Sequence, residues 1–146
     1  MKISVVTPCY NEAEVLPIYF ERLLEVLGSY GDFELVMVDD GSTDATLEQL
    51  MAWRERDSRI QVVELSRNFG KEAALTAALD HANGDCIIII DADLQDPPEL
   101  IPDMIAKWQT GFDMVLAKRC SRKQDSFAKK TTARWFYKLF NYLCEE

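Results

Sequence analysis

The stretch Cys86-Ile87-Ile88-Ile89-Ile90-Asp91-Ala92-Asp93-Leu94-Gln95 decides how the chain is read. Four isoleucines on consecutive positions, rather than alternating with polar residues, are the pattern of a strand covered on both faces. Two carboxylates separated by one residue follow at once. A buried strand that ends in acid suits an open α/β sheet, where ligands gather beyond the carboxyl ends of the strands.

Working outward, similar short apolar runs lie at Ile3–Thr7, Phe33–Val38, Ile60–Leu65 and Met114–Ala117, with Asp85–Ile90 between the last two. All five are predicted strands. Helical patterns alternate with them. Asn11-Glu12-Ala13-Glu14 opens one in the manner of a capping box, before Leu16, Phe20, Leu23, Leu24 and Leu27. Ser42-Thr43-Asp44 supplies N-cap residues for a second, Lys71–Ala82 is rich in Ala and Leu, and Glu99–Thr110 starts after Pro97-Pro98 and stops at Gly111. Strand–helix alternation with short connections predicts an α/β layered domain on a largely parallel sheet. Right-handed crossovers then bring every strand's C-terminal end to one edge.

That edge collects the unusual residues. Asp91 and Asp93 can offer oxygens to one hard cation, Mg²⁺ or Mn²⁺, with Gln95 as a neutral oxygen ligand. The alternative for such residues is turn formation or helix capping. Asp39 can accept hydrogen bonds from a nucleobase or ribose, while Asp40, Gly41 and Ser42 read as the turn. Pro8, Tyr10 and Glu12 can floor a base and ribose, although Glu12 also suits a helix N-terminus in its own right. In Arg67-Asn68-Phe69-Gly70-Lys71 the cations either meet phosphate near a helix start or remain solvated surface. Arg119, directly after the fifth run, can grip a diphosphate in bidentate fashion.

The chain has 146 residues, 48% apolar and 28% charged, which is one ordinary globular domain. No run approaches the roughly 20 apolar residues of a membrane span, and the N-terminus lacks a signal-peptide layout, so the chain reads as cytoplasmic. The net charge of −9 is unevenly spread. Residues 1–117 hold 8 Lys/Arg and 22 Asp/Glu, a net −14, whereas residues 118–144 hold 8 Lys/Arg and one Asp, a net +7. The acidic body argues against nucleic acid as a partner, and the basic end suggests a membrane surface or a polyphosphate. Its cations interleave with Trp135, Phe136, Tyr137, Phe140 and Tyr142, which suits either a helix lying on anionic headgroups or one packing on the domain. Cys9, Cys86, Cys120 and Cys144 are scattered and His81 is the only histidine, so neither a zinc site nor a Cys–His pair is expected.

Taken together, Thr7-Pro8-Cys9-Tyr10-Asn11-Glu12, Val38-Asp39-Asp40-Gly41-Ser42-Thr43-Asp44, Ser66-Arg67-Asn68-Phe69-Gly70-Lys71-Glu72, Asp91-Ala92-Asp93-Leu94-Gln95-Asp96-Pro97 and Ala117-Lys118-Arg119 resemble family-2, GT-A-type glycosyltransferases. The resemblance is strongest to the bactoprenol glucosyltransferase and dolichol-phosphate mannosyltransferase branch. It implies a Rossmann-like three-layer fold with a nucleotide-sugar-binding domain over 1–119 and a basic, aromatic segment over 120–146 that begins the acceptor side. It implies inverting transfer of a hexose, glucose favoured, from a UDP-sugar to a polyprenyl phosphate at the cytoplasmic membrane face.

In that reading Pro8, Tyr10, Glu12 and Asp39 hold the nucleoside, and Lys71 joins them in binding the donor. Asp91, Asp93 and Gln95 serve the metal and diphosphate, and Arg119 the phosphates. Asp91, Asp93 and Arg119 form the catalytic set. The acceptor-side segment and C-terminal membrane helices of that branch have no counterpart in the sequence, which leaves a non-catalytic donor-binding fragment as the main alternative. A homo-oligomer is an open expectation. A phosphorelay receiver fits poorly, because Asp39-Asp40 follows the second strand and Lys118 precedes Arg. A haloacid-dehalogenase-like phosphatase would carry its Asp-x-Asp on the first strand.

Overall fold

The computed structural model describes residues 1–118. Among them four strands form one sheet in the order β3-β2-β1-β4, every neighbouring pair parallel. The strands are β1 (Ile3–Cys9), β2 (Phe33–Asp39), β3 (Ile60–Glu64) and β4 (Cys86–Ile89). Between them run α1 (Leu16–Leu27), α2 (Thr46–Arg56) and α3 (Lys71–His81), and after β4 come a 3₁₀ turn (Pro98–Leu100) and α4 (Ile101–Gln109). The register Cys9↔Asp39 brings the ends of β1 and β2 level, and Val6↔Ile89 sets β4 beside them, so the acidic strand ends share one edge.

Helices cover the sheet on both faces. On one face Tyr19, Phe20, Leu23 and Leu27 of α1 pack with Ile3, Val5, Leu35, Met37, Ile88 and Ile90, joined by Leu50 of α2 and Ile101 and Ile105 of α4. Phe20 stacks on Trp53 with centroids 4.6 Å apart. On the other face the buried side chains of α3, Ala74 and Ala78, meet Val6, Val36 and Val38, with Leu75 and Ala77 packing beside them. Alanines at four-residue spacing let that helix lie close to the sheet. Arg22 of α1 donates two hydrogen bonds, 2.9 and 2.6 Å, to the Glu99 carboxylate and ties the 3₁₀ turn to α1.

Two strand expectations change. Residues 114–117 form no strand, and Met114 and Leu116 are exposed. A four-residue run becomes a strand only when a neighbour takes its hydrogen bonds, and none of the described residues does so there. Among the described residues β4 is covered on one face: Ile88 is buried, but Ile87 and Ile89 are 43% and 50% exposed. The reason is that α3 lies over β1 and β2. Two caps also differ, since neither α1 nor α2 has a side-chain hydrogen bond at its N-cap, Val15 or Ala45. Asn11 is turned to φ 55° and serves the neighbouring loop instead. Gly111, at φ 102°, ends α4 as expected, its N–H donating to the Trp108 carbonyl at 2.9 Å.

Candidate functional site

The loops after β1, β2 and β3 are laced together. The Asn11 N–H donates to Ser42 Oγ (3.0 Å), Thr43 N–H to Asn11 Oδ1 (2.8 Å), and Glu12 N–H to Thr46 Oγ1 (2.8 Å). Asp44 accepts from the Thr46 and Ala13 N–H groups at 3.0 and 3.2 Å. The two Asp40 oxygens accept from Phe69 and Gly70 N–H at 2.8 and 3.0 Å, which fixes the loop that leads into α3. Gly41 makes the close approach possible. At φ 65° it sits so near this loop that a Cβ would lie 2.4 Å from the Arg67 carbonyl carbon.

A pocket of about 230 Å³ opens at this edge, lined by Pro8, Cys9, Tyr10, Glu12, Asp40, Asn68, Gly70, Lys71, Ala74, Asp91, Ala92 and Asp93. It is smaller than the roughly 300–1,000 Å³ of a complete ligand cleft, so it has room for part of a ligand. Four of its lining residues are acidic and one is cationic. Lys71 Nζ donates to Asp91 Oδ2. That bond, more than any other influence, holds the Lys71 ammonium above its ordinary pKa, with the charges of Asp91, Asp93 and Glu72 adding to it. Burial pushes the Glu12 carboxyl up, and the nearby charges of Asp93, Asp44 and Asp91 push it further. The crowding of like charges marks a place that favours cations.

Of the residues expected at the site from the sequence, Pro8, Tyr10, Glu12, Lys71, Asp91 and Asp93 are brought together and form half of the pocket's lining. Asp39 and Gln95 are not among the lining residues. Asp39 is 1% exposed at the end of β2; its Oδ2 accepts from Ser42 N–H (3.1 Å), and its Oδ1 has no hydrogen-bond partner among the described residues. Such an orphan is uncommon, because buried polar atoms are nearly always paired. Gln95 contributes its N–H to Asp93 Oδ1 at 2.9 Å, so Asp93 makes a local turn contact as well as facing the pocket. Arg119 lies outside the described residues. Sequence reasoning missed the Lys71–Asp91 pair, since the start of α3 and the residues after β4 meet only through the fold. It also missed the second role of Asp40, which both shapes the turn and lines the pocket.

A metal would find little ready-made here: among the described residues no three His, Cys, Asp or Glu side chains are grouped to hold one. Asp91 and Asp93 with a surplus of negative charge nevertheless fit a hard cation that takes one or two carboxylates and completes its shell with substrate phosphates.

A parallel α/β domain with an acid-lined pocket at the carboxyl edge of its sheet defines a ligand-binding domain of the Rossmann-like class. Residues 4–145 match the family model described as Glycosyl transferase family 2, and the chain belongs to that family. It is 53% identical over 143 residues to the prophage bactoprenol glucosyl transferase homolog of Escherichia coli K12, covering 97% of this chain and 46% of that protein. The chain thus spans about half the length of such relatives. Among solved structures it resembles the mannosyltransferase PcManGT of Pyrobaculum calidifontis in complex with GDP-Man and Mn²⁺ (TM-score 0.67, 31% identity, 80% of this chain and 35% of that one). It also resembles S. aureus TarS 1-349 in complex with UDP-GlcNAc (TM-score 0.57, 26% identity, 85% and 39%). The fold is the GT-A glycosyltransferase fold, and the receiver and phosphatase alternatives fall away.

Proposed function

We propose that this chain is the donor-binding part of an inverting hexosyltransferase. It moves a hexose, glucose favoured, from a UDP-sugar to a polyprenyl phosphate. The observation that carries the reading is the meeting of Glu12, Lys71, Asp91 and Asp93 in one pocket at the carboxyl edge of the sheet. The glucosyl transferase name of the E. coli relative, the Mn²⁺ and GDP-Man of one neighbour and the UDP-GlcNAc of another support it. Because the relatives are about twice as long, transfer is assigned to the whole family protein and donor binding to this chain.

Asp91 and Asp93, with Gln95 beside them, would hold Mg²⁺ or Mn²⁺, which when bound offsets the charge growing on the leaving diphosphate. Lys71 supplies a cation at the same end, and Arg119 a second. Tyr10 and Pro8 take the base, Glu12 a ribose hydroxyl, and Asp39 Oδ1, which has no partner among the described residues, an N–H or O–H of the nucleoside. The acceptor attacks the anomeric carbon from the face opposite the nucleotide, which inverts its configuration. A phosphate monoester with a second pKa near 6 is largely dianionic at neutral pH. It therefore needs little help from a protein base.

No helix among the described residues is long and apolar enough to cross a membrane. Membrane approach is assigned to the basic, aromatic residues 118–144, with the reaction on the cytoplasmic face. Calorimetry with UDP, GDP and CDP, with and without Mn²⁺ or Mg²⁺, tests the donor site. UDP binding that depends on the metal is expected, and no binding of any of the three would overturn the assignment.

A further inference from the structure

We propose that Lys71 is the resident counter-cation of the pocket: its ammonium holds Asp91 when no divalent ion is bound, and has to release Asp91 before such an ion can take its place. The inference rests on the donor-site reading above and extends it to the order in which ligands load.

Four observations carry it. Lys71 Nζ donates to Asp91 Oδ2, linking the start of α3 to the loop just after β4. Lys71 is the one cation among the pocket-lining residues, and the Asp40 carboxylate is already committed to Phe69 and Gly70 N–H, so Lys71 faces Glu12, Asp91 and Asp93. Lys71 stands at the first position of α3, where the positive pole of the helix disfavours a cation. Finally, its side chain is 59% exposed, so packing does not hold it there. A cation set against a helix dipole and outside the core has the Asp91 carboxylate as its compensation.

An ammonium and a divalent ion compete for the same carboxylate oxygen. Lysine suits the exchange, being a point charge on a flexible stem with no fixed coordination geometry. A diphosphate resolves the competition, because it offers Lys71 other oxygens while completing the shell of the ion. Nucleotide and metal then load as a pair. Each raises the affinity of the other by the same factor, as linkage requires.

The test measures Mn²⁺ binding to the 146-residue chain by electron paramagnetic resonance, with and without UDP, in wild type, Lys71→Met, Lys71→Arg and Asp91→Asn. Without UDP, Lys71→Met is expected to bind Mn²⁺ about two- to fivefold more tightly, the range set by a half-exposed ion pair. Lys71→Arg, which keeps the charge, stays near wild type, and Asp91→Asn binds most weakly. The factor by which UDP raises Mn²⁺ affinity shrinks in Lys71→Met. Matching urea midpoints show that the variants are folded, as an exposed position predicts. A Lys71→Met protein that binds Mn²⁺ no more tightly than wild type, while wild-type UDP binding still needs metal, overturns the counter-cation role and leaves the donor site standing. A chain that binds neither Mn²⁺ nor UDP in any variant overturns both.

Discussion

Strand β2 carries a buried acid at each end, and the two are in opposite states. Glu34, at its start, has both oxygens partnered: Ser4 Oγ (2.6 Å) and Asn83 N–H (2.6 Å) on one, Lys2 Nζ (2.5 Å) and Gln61 Nε2 (3.1 Å) on the other. Burial works to raise the Glu34 carboxyl, but the bonds from Lys2, Ser4 and Asn83 outweigh it and leave it below the usual carboxylate range. Asp39, five positions on, has an oxygen with no partner among the described residues. The amino edge of the sheet is a closed polar network, whereas the carboxyl edge keeps hydrogen-bonding capacity in reserve. One end holds the fold, and the other is arranged for a ligand.

The contrast breaks most visibly at Glu34. Glu34→Ala strands an ammonium, a hydroxyl and an amide, and should cost about 3 kcal/mol in urea unfolding. The acid limb of stability carries the same signature with a definite sign. A carboxylate held below its unfolded pKa contributes stability that is present above the unfolded value and lost as pH falls through the folded one. Glu34→Gln should therefore flatten the loss of stability below about pH 4.5, measured as urea midpoints across pH. Should it leave that limb as steep as in wild type, the amino edge is not the closed network described.

At the other edge, Gly41→Ala sharpens the comparison by asking whether the loops are truly interlocked. Overpacking against the Arg67 and Asn68 backbone at a positive φ should destabilise by about 2–3 kcal/mol and weaken UDP binding as well. Asp39→Asn should separate the two quantities: a urea midpoint unchanged or higher, but UDP affinity lower by about tenfold, read by calorimetry. Unchanged affinity would move Asp39 from the ligand side to the fold. Smallest in stability is Asp93→Asn, expected within about 0.5 kcal/mol of wild type while metal dependence of UDP binding weakens.

How much of this was legible in the sequence depends on the range of the interactions concerned. β1, β2 and β3 were placed to within a residue or two from apolar runs such as Val36-Met37-Val38; β1 and β2 are in fact buried on both sides, whereas β3 is at most half-buried beyond Ile60. The same pattern overstated β4, since Ile87 and Ile89 carry the apolar character without a covering helix among the described residues. The caps divide for a different reason. Asn11 has the side chain a helix start prefers, but the neighbouring loop takes its oxygen, whereas Asp44 shares its carboxylate between Thr46 N–H at the start of α2 and Ala13 N–H. The pocket acids Glu12, Asp91 and Asp93 were readable from strand ends, yet the partners of Glu34 and the meeting of Lys71 with Asp91 depend on register and crossover, which no local pattern encodes.

Parallel pairing also sets the order in which the site comes into being. β1 joins β2 across about one strand–helix unit, Ile3 to Phe33, but joins β4 only by closing the chain from Ile3 to Cys86. Contacts of such long range form late, after loop closure has been overcome. β4 is therefore expected to be the last of the described strands to dock, carrying Asp91 with it. Pro8, Tyr10 and Glu12 can come together in the early units, but Asp91 and Asp93 reach the pocket only in the finished sheet. A ligand that bridges the two acts as a latch on the final strand, and slower hydrogen exchange of the β4 amides should register it.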